Sequence, residues 1–327
     1  MRLNVRVMIS AAILLAAASA HTVYQIARQN ITCWSDRYGG ANYLAACANG
    51  HFVEYETGAI FYALEPEIAK AVGNADVVVL GSSKAQAAFS SRATLDYFNE
   101  KHVHFYLLGF GYDNLAGFAL PMLKQRKIKP KLMIVNADPY FIPAIPQSGA
   151  GVVGGTWETY SRLASGIVLQ KLQRVACLQL PHICQPHERT IYRSRATGQW
   201  LWQDSYYPEQ AVPLNEMLHS ELSQDEFKSA VAFGRTFINE LAVDRSCIVF
   251  TGIPNNTRDA PSIALQLAQH LGVQYIAPEI ENLSLLDDSH LNFASAERWS
   301  AAFLAMVTPI LERCLDLSDS RDRRTFP

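Results

Sequence analysis

The sequence has little charge and no long stretch of one sign. Asp, Glu, Lys and Arg make up 18% of the 327 residues, and the net charge is -2. Nothing in that balance draws the chain to nucleic acid. There is no low-complexity segment and no internal repeat, which excludes solenoids and propellers. No Gly-x-Gly-x-x-Gly follows a strand-like run, so the dinucleotide-binding fingerprint is missing. What is present is a 49% hydrophobic chain. That suffices for one large domain with an insertion, or for two small domains.

The N-terminus reads as a targeting segment over residues 1–27. Arg2 and Arg6 precede an uncharged run from Val7 to Ala20. Ala18-Ser19-Ala20 fits a signal-peptidase site. The run is shorter than the ~20 residues of a usual spanning helix, although His21–Ile26 extends it marginally. Cleaved signal peptide and uncleaved membrane anchor both remain open. Either sends the chain out of the cytoplasm, to a periplasmic or cell-surface location. Six cysteines agree with that compartment. They allow ~15 pairings; the working assignment is Cys33–Cys47, Cys177–Cys184 and Cys247–Cys314, the last stapling a strand to the final helix.

From about residue 75 the pattern alternates strand and helix. Asp76–Leu80 is a short β-branched apolar run, the mark of a strand covered on both faces. Further strands are expected at Val103–Phe110, Lys131–Asn136, Cys247–Gly252 and Val273–Ala277. Helices are expected over 85–99, 114–126, 224–242, 261–271 and 294–315. Residues 139–222 break the alternation with Pro, Gly and aromatics, and read as an inserted cap-like segment. The expected fold is α/β: a doubly wound, flavodoxin-like, mostly parallel sheet in a three-layer α/β/α arrangement. Ligands of such sheets bind beyond the carboxyl ends of the strands. Ser83, Gly109–Gly111, Asn136–Asp138 and Ile253–Asn256 all lie at those ends.

Two segments carry chemistry. Asp76-Val-Val-Val-Leu-Gly-Ser-Ser-Lys84 runs a buried strand into a turn that presents Ser83. A serine hydroxyl needs a base and oxyanion donors before it is a useful nucleophile. The unpaired backbone N–H groups of a new helix can supply donors, and Gly81 permits a tight turn. Alone, such a serine is as well explained by helix capping. The second segment, Asp287-Asp288-Ser289-His290-Leu291-Asn292, places a carboxylate three residues before an imidazole. Asp287 can hold Nδ1–H, leaving Nε2 of His290 to face a serine.

These blocks, in this order and context, resemble the SGNH (GDSL-type) hydrolase superfamily over about residues 75–138 and 225–315. The resemblance implies a catalytic set of Ser83, His290 and Asp287 in a domain spanning 28–327, with the insertion at about 139–222. It implies oxyanion donors among Gly109, Gly111 and Asn136. Departures are plain: Ser82 stands where many members have Asp, and the third block reads Asn136-Ala-Asp138-Pro139 rather than Gly-x-Asn-Asp. The Gly-Ser-Ser variant looks most like the branch that O-acetylates envelope polysaccharides or transfers D-alanine to teichoic acids. The implied activity is an extracytoplasmic acyl-ester hydrolase or O-acyltransferase acting on an envelope or exported glycan. Its substrate would be a glycan or acylated carbohydrate, with a membrane acyl-donor protein as a partner. The alternative is a non-catalytic, glycan-binding or assembly protein on the same fold. No cofactor is expected. His182-Ile-Cys184-Gln-Pro-His187-Glu188 and His102-Val-His104, two imidazoles on one strand face, are the metal rivals; neither matches zinc spacing well, and no metal is expected.

Overall fold

The structure, a computed structural model, describes residues 42–47, 52–111, 115–138, 140–179, 190–202, 212–214 and 222–317, with 10, 12–14 and 19–20 in the N-terminal segment. In chain order the first elements are β1 (Tyr43–Cys47), α1 (Phe52–Phe61), α2 (Pro66–Gly73), β2 (Val77–Ser82), α3 (Ser83–Phe89), α4 (Arg92–Glu100), β3 (Phe105–Phe110), α5 (Ala116–Arg126) and β4 (Leu132–Asn136). Then come α6 (Gln147–Val153), α7 (Trp157–Gln179), β5 (Thr190–Ser194), β6 (Trp200–Trp202), β7 (Val212–Pro213), α8 (Gln224–Glu240), β8 (Ile248–Thr251), α9 (Ala260–Leu271), β9 (Gln274–Tyr275), β10 (Ser284–Leu285) and α10 (Phe293–Cys314).

Five strands form an all-parallel sheet in the order β3-β2-β4-β8-β9. Side chains alternate between its faces, as the pleat requires. Val78, Leu80, Tyr106, Leu108, Met133, Val135 and Phe250 enter one core, with Ile60, Ile68, Phe118, Phe237 and Ile263 from α1, α2, α5, α8 and α9. Val77, Val79, Phe105, Leu107, Ile134 and Val249 enter the other, with Phe89, Phe98 and Trp299 from α3, α4 and α10. Phe303 stacks on Trp299 at 5.4 Å, and Phe89 meets both rings edge-on. The continuous apolar strands are thus explained: both sheet faces are covered by helix.

The helix expected over 85–99 is two helices. It breaks at Ser90 and Ser91, where the Ser91 hydroxyl accepts from Thr94 N–H at 3.1 Å and caps α4. Serine competes with the helix for its own backbone. Glu297 of α10 also accepts from Arg92 and Ala93 N–H, fixing that helix start to the final helix. His102 and His104 do not share a strand face: β3 begins at Phe105, and His102 sits in the preceding turn with φ 54°. The cluster at 182–188 lies outside the described residues.

The segment 139–222 is tied closely to the rest. It holds α6 and α7, which contact α1. Its β5 pairs antiparallel with N-terminal β1 and with β6, and β7 pairs with β10. A loop of this segment seals the open edge of β3, a position that otherwise invites foreign strands. Leu107 N–H donates to Thr197 O at 2.9 Å. Gly198, at φ 71°, lies so close that a Cβ would come within 2.3 Å of Leu107 O. The fully buried Arg193 donates from Nη1 to Leu107 O at 2.7 Å, from Nη2 to Gly109 O, and from Nε to Glu56. Trp200 Nε1 donates to the same Glu56 carboxylate.

Cys247 and Cys314 form a disulfide that staples the approach to β8 to the end of α10. Each of the other expected pairs includes a residue outside the described ones, Cys33 or Cys184. The leader also falls almost wholly outside them. Among the described residues no helix is long and apolar enough to cross a membrane.

Removing one partner of a buried ion pair strands the other charge. Arg193→Met should therefore lower the unfolding free energy by about 3–5 kcal/mol in urea titrations. The double variant Arg193→Met/Glu56→Gln should lose less than the single one. Equal losses in both would show that Glu56 is not stranded.

Candidate active site

The turn from β2 into α3 separates the two serines by role. Ser82 is the cap: its Oγ accepts from Lys84 N–H at 3.2 Å. Ser83 is the first helical residue, so its hydroxyl is not used for capping. Gly81 is required because α3 sits hard against the strand end. A Cβ there would lie 2.5 Å from Ala85 Cβ and 3.1 Å from Asn136 Cβ.

The second loop reaches the same point from the far end of the chain. His290 Nε2 lies 2.8 Å from Ser83 Oγ, and its Nδ1 lies 2.9 Å and 3.0 Å from the two Asp287 oxygens. A carboxylate only accepts, so Nδ1 carries the proton and Nε2 presents a lone pair to the serine hydroxyl. Asp287 Oδ1 also accepts from Ser289 N–H at 2.7 Å and His290 N–H at 2.9 Å, closing a turn that aims the ring. Leu286 N–H donates to His290 O, and Asn292 caps α10 just beyond. Burial works against the Asp287 charge. The His290 hydrogen bond, the charge of that ring when it is protonated, and the two backbone donors outweigh it and hold the carboxyl down to about 2.

Of the expected oxyanion donors, Asn136 is the one with an unused donor. Its Oδ1 accepts from Ile253 N–H at 3.3 Å, which fixes the amide orientation; its buried Nδ2 has no partner among the described residues. Gly109 lies inside β3 opposite Gly81, with its carbonyl taken by Gln86 Nε2 and Arg193. Gly111 lies one residue past β3, near the Trp200 ring. A Cβ on Gly109 would lie 2.9 Å from Ser82 O, so the end of β3 packs closely on the turn that carries Ser83.

The structure adds a cluster that motif reading passed over. Lys84 Nζ meets the buried carboxylate of Asp138 at 3.2 Å and Thr257 Oγ1 at 3.4 Å. Asn255 Nδ2 donates to the same Asp138 oxygen at 3.3 Å. In the sequence, Asp138 stands on the rim and in the third block, but nothing there pairs it with Lys84. The available signal was its place at a carboxyl end on the rim, shared with Asn255. Among the insertion aromatics, Tyr192 and Trp200 are buried, whereas Trp157 is exposed and stacks on Tyr160. Tyr206 and Tyr207 lie outside the described residues.

No protein-family model, curated protein or solved structure matches this chain.

The lowered Asp287 pKa has a testable sign. A carboxyl at about 2 in the folded chain and near ~3.9 in the unfolded one contributes stability that is fully present above about pH 4. That contribution disappears as pH falls towards 2. The stability difference between wild type and Asp287→Asn should shrink as pH falls below about pH 4. A difference that widens below about pH 4 would contradict it. The exposure of this side chain keeps the whole effect small.

Proposed function

We propose that this chain is a serine-dependent acyl-ester hydrolase or O-acyltransferase of the SGNH type, acting outside the cytoplasm on an envelope or exported glycan. The observation that carries the reading is the relay Asp287–His290–Ser83, with hydrogen-bond distances at both links. The strand order β3-β2-β4-β8-β9 supports it. Counted within the sheet it is 2-1-3-4-5, the flavodoxin-like doubly wound order. Its crevice lies where the chain reverses direction across the sheet, between the ends of β2 and β4. Ser83 follows β2, and Asn136 ends β4.

In the first half-reaction Ser83 Oγ attacks the ester carbonyl while His290 Nε2 takes its proton. The tetrahedral intermediate collapses, the imidazolium protonates the departing alkoxide, and the acyl group stays on Ser83. In the second half, water or a sugar hydroxyl attacks that ester with His290 again as base, then as acid to release Ser83. Asp287 stabilises the imidazolium in both halves. Oxyanion donors are the Ser83 N–H, which opens a helix and has no intrahelical acceptor, and the unused Asn136 Nδ2.

The Cys247–Cys314 disulfide accords with an oxidising compartment. The glycan acceptor and a membrane acyl-donor partner rest on the resemblance of the Gly81-Ser82-Ser83 block and the leader to the envelope-modifying branch.

A fluorophosphonate probe tests the reading on the full chain. Labelling should map to Ser83 by peptide mass spectrometry. It should fall by about 10³-fold or more in both Ser83→Ala and His290→Ala. A folded wild-type protein that takes no label would favour the non-catalytic glycan-binding alternative.

A further inference from the structure

The residues that meet at Ser83 and His290 come from separate loops, and the hydrogen bond between them does not explain how those loops keep their spacing. The polar cluster beneath them does. Lys84 is the residue after Ser83, so its backbone moves with the nucleophile. Its side chain is 13% exposed, and its ammonium is held by Asp138 Oδ2 and Thr257 Oγ1. Asp138 follows β4 and is buried; Asn255, also buried, follows β8. Asn255 Nδ2 donates to Asp138 Oδ2 and to Ile253 O. Its Oδ1 accepts from Thr257 N–H, Thr257 Oγ1 and Arg258 N–H, which folds residues 255–258 into one unit.

The next residue completes the path. Asn256 N–H donates to Asp288 O at 2.8 Å, inside the loop that carries Asp287 and His290. Asn256 Nδ2 donates to Pro213 O, in the strand that pairs with β10 just before that loop. A connected set of hydrogen bonds therefore runs from the residue beside the nucleophile, through a buried carboxylate, to the loop of the base. One charged atom, Asp138 Oδ2, receives both Lys84 and Asn255. Its other oxygen, Oδ1, is buried with no partner among the described residues. A buried carboxylate left half-satisfied is costly. An apolar residue would serve better if this position only had to fill space.

We propose that Asp138 is a positioning residue for the reaction, holding the Ser83 turn and the His290 loop in register through Lys84 and Asn255. It touches neither the substrate nor the reacting atoms. The proposal rests on the serine-acyl reading for its kinetic consequence, but the geometry it asserts stands apart from that reading. Loss of this anchor lets Ser83 drift from His290 while each stays folded in its own loop. A displacement near 1 Å costs about 10²-fold in rate at such a site.

The test uses the full chain with Asp138→Asn, which keeps size and one acceptor oxygen but removes the charge. Fluorophosphonate labelling is resolved into its saturating rate and its half-saturation concentration. The proposal expects the rate to fall by about 10- to 10²-fold with half-saturation unchanged. Lys84→Arg should retain most of the rate and Lys84→Met should lose it. Nitrogen-15 signals of the His290 ring supply a readout that does not need turnover. In Asp138→Asn the Nε2 signal should move to its position in Ser83→Ala, while Nδ1, held by Asp287 within its own loop, stays in place. If wild type takes no label, the acyl reading fails, and the Nε2 signal alone decides the positioning claim. A wild-type Nε2 signal in folded Asp138→Asn overturns it. So does a lower labelled fraction at an unchanged rate, because that marks a purely structural role. Should Asp138→Asn fail to fold, Asn255→Asp decides by the same two readouts. It places a second carboxylate against Asp138, and the proposal expects the same loss of rate and the same Nε2 movement.

Discussion

The 2.8 Å contact between Ser83 Oγ and His290 Nε2 joins residues 207 positions apart, and the rest of the architecture can be understood from what that contact requires. Ser83 must stand at the end of a strand that cannot shift. β2 meets that need as an inner strand, paired to β3 on one side and β4 on the other and buried on both faces. His290 must arrive from a loop anchored at both ends. Asn292 begins α10 behind it, and β10 pairs with β7 ahead of it. α10 packs on α3 and α4 through Trp299 and Phe303, so the helix that follows His290 lies on the same face as the helix that opens with Ser83. Core packing and site geometry are therefore one constraint, felt from two sides.

The insertion takes part in that constraint although it brings no residue to the relay. It closes the β3 edge with Thr197 and the Arg193 guanidinium, and Arg193 is itself held by Glu56 of α1. A segment that interrupts the α/β alternation thereby stabilises the strand beside β2. The arrangement trades hydrophobic area for buried charge. Such pairs contribute little net stability but fix one geometry by making every alternative costly.

What the sequence disclosed was whatever depends on neighbours in the chain. The five core strands were legible because each is a short, continuous β-branched or aromatic run. The spacing of Asp287 and His290 was legible because their hydrogen bond is local. The helix over 85–99 was misread because Ser90 and Ser91 suit a helix interior poorly, yet the apolar residues around them kept a helical period. The Arg193–Glu56 pair and the Lys84–Asp138–Asn255 cluster were invisible for a different reason. Their partners lie 137, 54 and 117 positions apart, and no period or motif marks a lone buried charge. α1, α2 and β1 were also missed: α1 has no clear apolar stripe, and in α2 the stripe is only Ile68 and Val72, too short to stand out.

The central claim is that Ser83 is a nucleophile that carries an acyl group. The most direct measurement is an acid quench of the protein during incubation with an activated acetate ester, followed by peptide mass spectrometry. The account predicts one acetyl group on the peptide containing Ser83. It should accumulate when water is the only acceptor and discharge faster when a sugar alcohol is added, if transfer is the reaction. Acetylation confined to other residues, at equal levels in wild type and Ser83→Ala, would contradict it.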